Sequence, residues 1–309
     1  ERLQKEGKTD AILGYMPDCD GDRGNIVFWN KKEKKAEVLK AQEVFALSVL
    51  SELAFLAYSG KTGENAKIAV SVNDPTSMRI EEIAKAFGAL VARAEVGEAN
   101  VVNRARELRA EGYEVRILGE GSNGGNITHP AAVRDPLNSI FALIKLLAIK
   151  DGKNPDGSEK KGLFHLWCSL SNQEEKYTED FSLIDVIETL PVYTTTGVSE
   201  ARALLKIKTT DHSVLKAKYQ KVFLSQWDEK KASLEEKYGI CNYEAVCNNG
   251  TKETKNITDF SISGKGGLKI LLKDKNQNNL AFIWMRGSGT EPVFRVLCDV
   301  KGNNPEMEK

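Results

Sequence analysis

A chain of 309 residues, 41% of them hydrophobic, is long enough for two or three domains around a sizeable core. Its 44 basic residues balance 44 acidic ones. A zero net charge argues against a general role on nucleic acid or on a membrane surface, both of which need a basic excess.

The chain opens at Glu1 inside a polar, helix-like segment and reads as a piece of a longer protein. Nothing there has the make-up of a signal peptide, and no apolar run is expected to span a membrane. Residues 10–30 read as strand, acidic turn, strand. The turn is Asp18-Cys19-Asp20-Gly21-Asp22-Arg23. Alternate side chains of an extended segment point the same way, so the carboxylates of Asp18, Asp20 and Asp22 are expected to converge. Carboxylates that close resist joint ionisation unless a cation joins them. Hard oxygen ligands at this density suit Mg²⁺. Gly21 permits the sharp turn, and Arg23 can fork onto a phosphoryl oxygen. An EF-hand is excluded, because its twelfth position, counted from Asp18, holds Trp29 and not a bidentate Glu. Taken alone, the stretch fits an acidic surface turn as well as a metal site.

Residues 42–58 have helical periodicity, with Val44, Leu47, Leu50, Ala54 and Leu56 on one apolar face. A polar hinge follows at 59–64. From residue 67 strands and helices alternate: strands at 67–72, 89–94 and 114–118, helices at 77–87, 99–110 and 136–149. That alternation predicts an α/β layer domain with a mixed sheet. The last strand runs into Gly119-Glu120-Gly121-Ser122-Asn123-Gly124-Gly125. The carboxyl end of a strand is where α/β folds bind ligands. Glu120 and Ser122 offer hydrogen bonds to sugar hydroxyls there, although a flexible turn would read the same. Residues 151–179, rich in Gly, Lys, Asn and Ser, break the pattern and read as a long surface insertion of the kind that forms lids, with one anchored patch at Phe164, Leu166 and Trp167.

Beyond residue 194 comes a long amphipathic helix near 214–238, then strands near 243–246, 268–272, 280–285 and 293–300. This predicts a smaller α+β domain. Between its last two strands lies Arg286-Gly287-Ser288-Gly289-Thr290-Glu291-Pro292. A Gly-rich turn presents N–H groups to an anion, and Arg286, Ser288 and Thr290 add charge-assisted and hydroxyl bonds. Five cysteines without a CxxC pair and three scattered histidines (His129, His165, His212) indicate reduced thiols, a cytoplasmic setting and no zinc site.

The three loops, in this order, resemble the signatures of the α-D-phosphohexomutase family, which includes phosphoglucomutases and phosphomannomutases. The resemblance covers nearly the whole chain except the 151–179 insertion. It implies the end of a second domain at 1–62, a third α/β domain at 63–193 and a fourth, α+β domain at 194–309. It implies Mg²⁺ on Asp18, Asp20 and Asp22, with Arg23 as the catalytic arginine. Glu120 and Ser122 would grip the sugar, and Arg286, Ser288, Gly289 and Thr290 the phosphate that does not react. The implied activity is phosphoryl transfer between positions 1 and 6 of a hexose phosphate through a hexose 1,6-bisphosphate. The family's phosphoserine loop has no counterpart here, since the chain contains no Ser-His pair. The implied partner is therefore an N-terminal domain of the same protein, and this chain alone is expected to be inactive. The alternative is a phosphosugar-binding protein without a transfer step. A phosphatase using Asp18 and Asp20 fits the downstream loops poorly. Lesser departures are Cys19, Gly121 and Gly287, and Glu98 stands where a proton acceptor or a plain helix start would fit.

Overall fold

After a one-turn helix, α1 (Arg2–Lys5), the apolar runs flanking the acidic stretch pair as an antiparallel hairpin, β1 (Leu13–Pro17) with β2 (Gly24–Asn30). This is seen in a computed structural model, which describes residues 1–288 and 293–309. β3 (Lys35–Val38) adds to β2 and completes a three-stranded sheet. It is too short and too charged to show in the sequence pattern.

Helix α2 (Ala41–Tyr58) is buried on every side from Val44 to Ala54, not on one face. It is long and apolar enough by composition to cross a membrane, contrary to expectation, yet 67% of it is buried within the protein. Burying a helix all round brings polar groups into the core, and each of these has a partner. Ser51 donates to the carbonyl of Ala142 at 2.7 Å. Glu52, 3% exposed, takes Arg116 at 2.9 Å and Lys145 at 2.5 Å.

Next come β4 (Ala69–Asn73), α3 (Arg79–Ala86), β5 (Leu90–Ala94), α4 (Glu98–Ala110), β6 (Ile117–Glu120) and β7 (Gly125–Thr128). The four strands form a mixed sheet in the order β5-β4-β6-β7, with β4–β6 parallel and β6–β7 antiparallel. Glu98 is the first residue of α4, where a carboxylate meets the positive end of the helix dipole. α5 (Pro136–Ala148) starts on its predicted proline. The Asp135 carboxylate caps it by accepting from the Leu137 N–H at 3.0 Å.

The 151–179 segment is not a surface lid. A short hairpin, β8 (Gly152–Lys153) with β9 (Glu159–Lys160), leads into α6 (Leu163–Leu170). α6 buries Leu163, Phe164, Trp167 and Cys168 in the same core as α2. Trp167 stacks on Phe87 with centroids 6.1 Å apart and donates to Thr189 Oγ1 at 2.8 Å. α7 (Leu183–Ile187) follows.

The second part of the chain is a seven-stranded antiparallel sheet with one long helix. Its elements are β10 (Tyr193–Thr195), β11 (Leu204–Lys206), α8 (His212–Tyr238), β12 (Asn242–Asn249), β13 (Lys252–Thr254), β14 (Gly267–Lys273), β15 (Asn279–Gly287), β16 (Val293–Lys301) and α9 (Pro305–Glu308). The order is β10-β16-β15-β14-β12-β13, with β11 also on β16. Phe223 and Trp227 of α8 each meet Tyr243 of β12 at 4.9 Å between centroids.

The fold class is thus as expected, a mixed-sheet α/β part followed by an α+β part. The chain divides into two units: residues 1–72, 79–92 and 105–191, and residues 73–78, 93–104 and 192–309. Residues 1–62 do not stand apart from 63–193, because β2, α2, α5 and α6 share one apolar core.

Candidate active site

In the first unit the acidic turn closes on itself. Asp18 N–H donates to Arg23 O at 2.9 Å, and Gly21 N–H to Asp18 O at 3.2 Å. Gly21 has φ +73°, a conformation that side-chain-bearing residues rarely adopt. This turn, more than extended alternation, brings the carboxylates together. One oxygen each from Asp18, Asp20 and Asp22 lies within 4.8 Å of the others. Neighbouring ligands of an octahedral Mg²⁺ are ~3.0 Å apart and opposite ones ~4.2 Å, from a ~2.1 Å bond. The three carboxylates are hard oxygen donors of the kind that ion takes, and they would have to draw closer to hold it.

Two arginines offset the clustered negative charge. Arg23 Nε lies 3.0 Å from Asp18 Oδ2 and 3.2 Å from Asp22 Oδ1. Desolvation raises the Asp18 carboxyl, but the backbone N–H and guanidinium of Arg23 outweigh it and hold the group below its usual range. The second arginine, Arg134, was not singled out from sequence. Its Nη1 donates to Asp22 Oδ2 at 2.8 Å, and its Nη2 pairs with Glu120 Oε2. One guanidinium thus joins the acidic turn to the expected sugar loop.

That loop is the four-residue connection of the β6–β7 hairpin, whose closing pair is Glu120 with Gly125. Asn123 Nδ2 donates to Glu120 Oε2 at 3.1 Å, and Asn123 Oδ1 accepts from the Gly125 N–H at 3.0 Å. A Cβ on Gly125 would come within 2.5 Å of Arg134 Nε, so the glycine is what lets the arginine lie across the strand. Glu120 and Ser122 are buried, at 2% and 8% exposure. A cleft of about 280 Å³ opens between Asp18, Arg23, Asn123 and Gly124, floored by Ala41 and Val44 at the start of α2. It is just below the ~300–1,000 Å³ typical of small-molecule sites. Arg134 had no signal of its own in the sequence beyond preceding the Asp-Pro cap of α5.

The expected phosphate loop belongs to the second unit. Arg286 holds Glu95 Oε1 through Nε and Nη2, both at 3.0 Å. Glu95 Oε2 in turn accepts from the Gly250 N–H at 2.8 Å. Ser288 N–H donates to Val293 O at 2.8 Å, closing the β15–β16 hairpin below the loop. Gly289 and Thr290 lie outside the described residues.

Residues 48–160 match the family model for phosphoglucomutase/phosphomannomutase, alpha/beta/alpha domain III. That stretch is similar to one domain of the phosphoglucomutase/phosphomannomutase family. No curated protein matches it. Among solved structures it is similar to the phosphoglucomutase pp63/parafusin from Paramecium in its open form, at 13% identity and TM-score 0.49, over 94% of this chain and 40% of that one. It is similar to a phosphoglucomutase/phosphomannomutase family protein from Burkholderia thailandensis, at 14% and 0.44, over 97% and 45%. It is also similar to an N-acetylphosphoglucosamine mutase from Aspergillus fumigatus in complex with glucose 1,6-bisphosphate, at 13% and 0.39, over 94% and 45%. The chain thus spans less than half the length of each of these proteins. The phosphohexomutase match includes the β6–β7 loop and Arg134, and the acidic turn lies before it.

Proposed function

We propose that this chain supplies the metal, sugar and phosphate loops of a phosphohexomutase. The reaction is Mg²⁺-dependent transfer of a phosphoryl group between positions 1 and 6 of a hexose phosphate, through a hexose 1,6-bisphosphate. The observation that carries the reading is Arg134, which ties Asp22 of the acidic turn to Glu120 of the sugar loop. Asp18, Asp20 and Asp22 would hold the Mg²⁺, which when bound neutralises charge on a transferring phosphoryl group. Arg23 adds a fixed positive charge beside it, and phosphoryl transfer depends on such positioning and charge more than on covalent chemistry by side chains. Glu120 and Ser122 would orient the sugar. Arg286, Ser288, Gly289 and Thr290 would bind the non-reacting phosphate.

Calorimetric titration with Mg²⁺ tests the metal assignment. One site is expected, weakened about tenfold or more (~1.4 kcal/mol) in Asp20→Asn; equal affinity in the variant removes it. The chain contains no Ser-His pair of the kind that marks the family's phosphoserine loop. That favours a second reading of the chain alone, a phosphosugar-binding protein. With glucose 1-phosphate or mannose 1-phosphate and a bisphosphate activator, the chain alone is expected to bind without turnover. Sustained turnover refutes that expectation. The upstream coding sequence separates the two readings, because a mutase needs a serine loop there.

A further inference from the structure

Arg134 has a fixed base and two unequal holds. Its backbone leads into the cap of α5, where the Asp135 N–H donates to Asn126 O at 3.3 Å and the Asp135 carboxylate accepts from Asn138 Nδ2 at 3.1 Å. Its side chain passes over Gly125, where no Cβ stands in the way, and ends between carboxylates of two separate loops. Glu120 keeps 2% of its side chain in solvent, against 31% for Asp22. Glu120 is also braced by Asn123 Nδ2 at 3.1 Å. One hold is therefore buried and firm, and the other reaches water. Burial works against the charge on Arg134, but the bonds to Asp22 and Glu120 outweigh it and hold the guanidinium charged. Both oxygens of Asp22 are engaged by arginines, Oδ1 by Arg23 Nε at 3.2 Å and Oδ2 by Arg134 Nη1 at 2.8 Å. The oxygens of the acidic triad must draw together to hold a divalent cation, so Asp22 joins them in competition with these two positive charges. Arg23 is part of the turn and moves with it, whereas Arg134 is anchored on a different element.

We propose that Arg134 is a positioning residue that links occupancy of the metal turn to the sugar loop. Without a cation it holds Asp22 and Glu120 together. When Asp22 turns to a divalent cation, its bond to Arg134 Nη1 gives way and the guanidinium shifts onto Glu120. The carboxylate that would grip the sugar is thus set by a charge whose position follows the state of the metal turn. No covalent bond forms or breaks, and no proton moves. The inference rests on the metal reading above and adds a dependence between two of its loops.

The test is calorimetric titration of the whole chain with Mg²⁺ alone as probe. Glu120→Gln removes the competing carboxylate, so Arg134 settles on Asp22 and Mg²⁺ affinity is expected to fall about fivefold or more. The ammonium of Arg134→Lys keeps the charge but lacks the fork that spans both carboxylates. In that background the same Glu120→Gln change is expected to alter affinity by less than about twofold, the scatter of independent sites. A residue that only props the sugar loop would not make one change depend on the other. Equal weakening in both backgrounds means that the charge of Glu120 acts through space, and it overturns the proposal. Mg²⁺ binding that Glu120→Gln leaves unchanged or tightens overturns it too, and either result leaves the metal reading standing. A second measurement needs no variant at position 120. The Arg134 Nε–H NMR signal, assigned with Arg134→Lys, is expected to shift as Mg²⁺ is added to wild type, and an unmoved signal also overturns the proposal. Wild type that binds no Mg²⁺ removes both readings.

Discussion

Glu120 is 2% exposed, while Asp22, the other carboxylate on Arg134, keeps 31% of its side chain in solvent. The two pairs should therefore differ in strength, since water screens an exposed pair and a buried charge has no other support. Double-mutant cycles by urea unfolding are expected to give a coupling of roughly 2–3 kcal/mol for Arg134 with Glu120, and under about 1 kcal/mol for Arg134 with Asp22. The reverse order would mean that the acidic turn, and not the sugar loop, holds the arginine. Lys216 offers a prediction of a different kind. It is fully buried, donates to the carbonyls of Gly264 and Gly266, and burial pushes its amine down to about 8. The unfolded chain holds that proton until ~10.4. Between these values the unfolded state binds more protons than the folded one, so stability must rise with pH. Measured against Lys216→Met, wild type should gain up to about 3 kcal/mol between pH 8 and 10.5. A flat difference would show that the two carbonyls keep the amine charged.

At the scale of elements, the 151–179 segment is the clearest case of a misread stretch. Its Gly, Lys and Asn content is that of a loop, yet Phe164, Trp167 and Cys168 recur at helical spacing and are buried. Trp167→Ala is expected to cost about 3–5 kcal/mol, as for a large core aromatic. A loss below about 1 kcal/mol would restore the reading of a loosely attached insertion. α2 was also read as amphipathic, because periodicity registers only its apolar residues. Glu52 looks like a solvated residue until Arg116 and Lys145, 64 and 93 positions away, are brought beside it. Glu52→Ala leaves both cations without their carboxylate, and about 3–5 kcal/mol is the expected loss in chemical unfolding.

At the scale of the whole chain, the second unit is not a contiguous stretch. Residues 73–78 and 93–104 belong with 192–309. Asp74 is fully buried, lies 2.5 Å from Lys269 Nζ and accepts from Trp284 Nε1 at 2.8 Å. Arg286 likewise depends on Glu95. Residues 192–309 expressed alone would keep Lys269 without its counter-charge, and they are expected to give poorly dispersed amide NMR spectra. A well-dispersed, cooperatively unfolding fragment would show that the two short segments contribute little.

Local chemistry was legible in the order of residues. The turn at Gly21, the acidic triad, the strand ends that carry the loops and the proline start of α5 depend on neighbours a few positions apart, and such short-range rules can be read directly. Arg134 between Asp22 and Glu120, the all-round burial of α2 and the helix inside 151–179 depend on partners tens to over a hundred positions away. Those pairings are set by which surfaces must leave water together, and only the folded chain decides that.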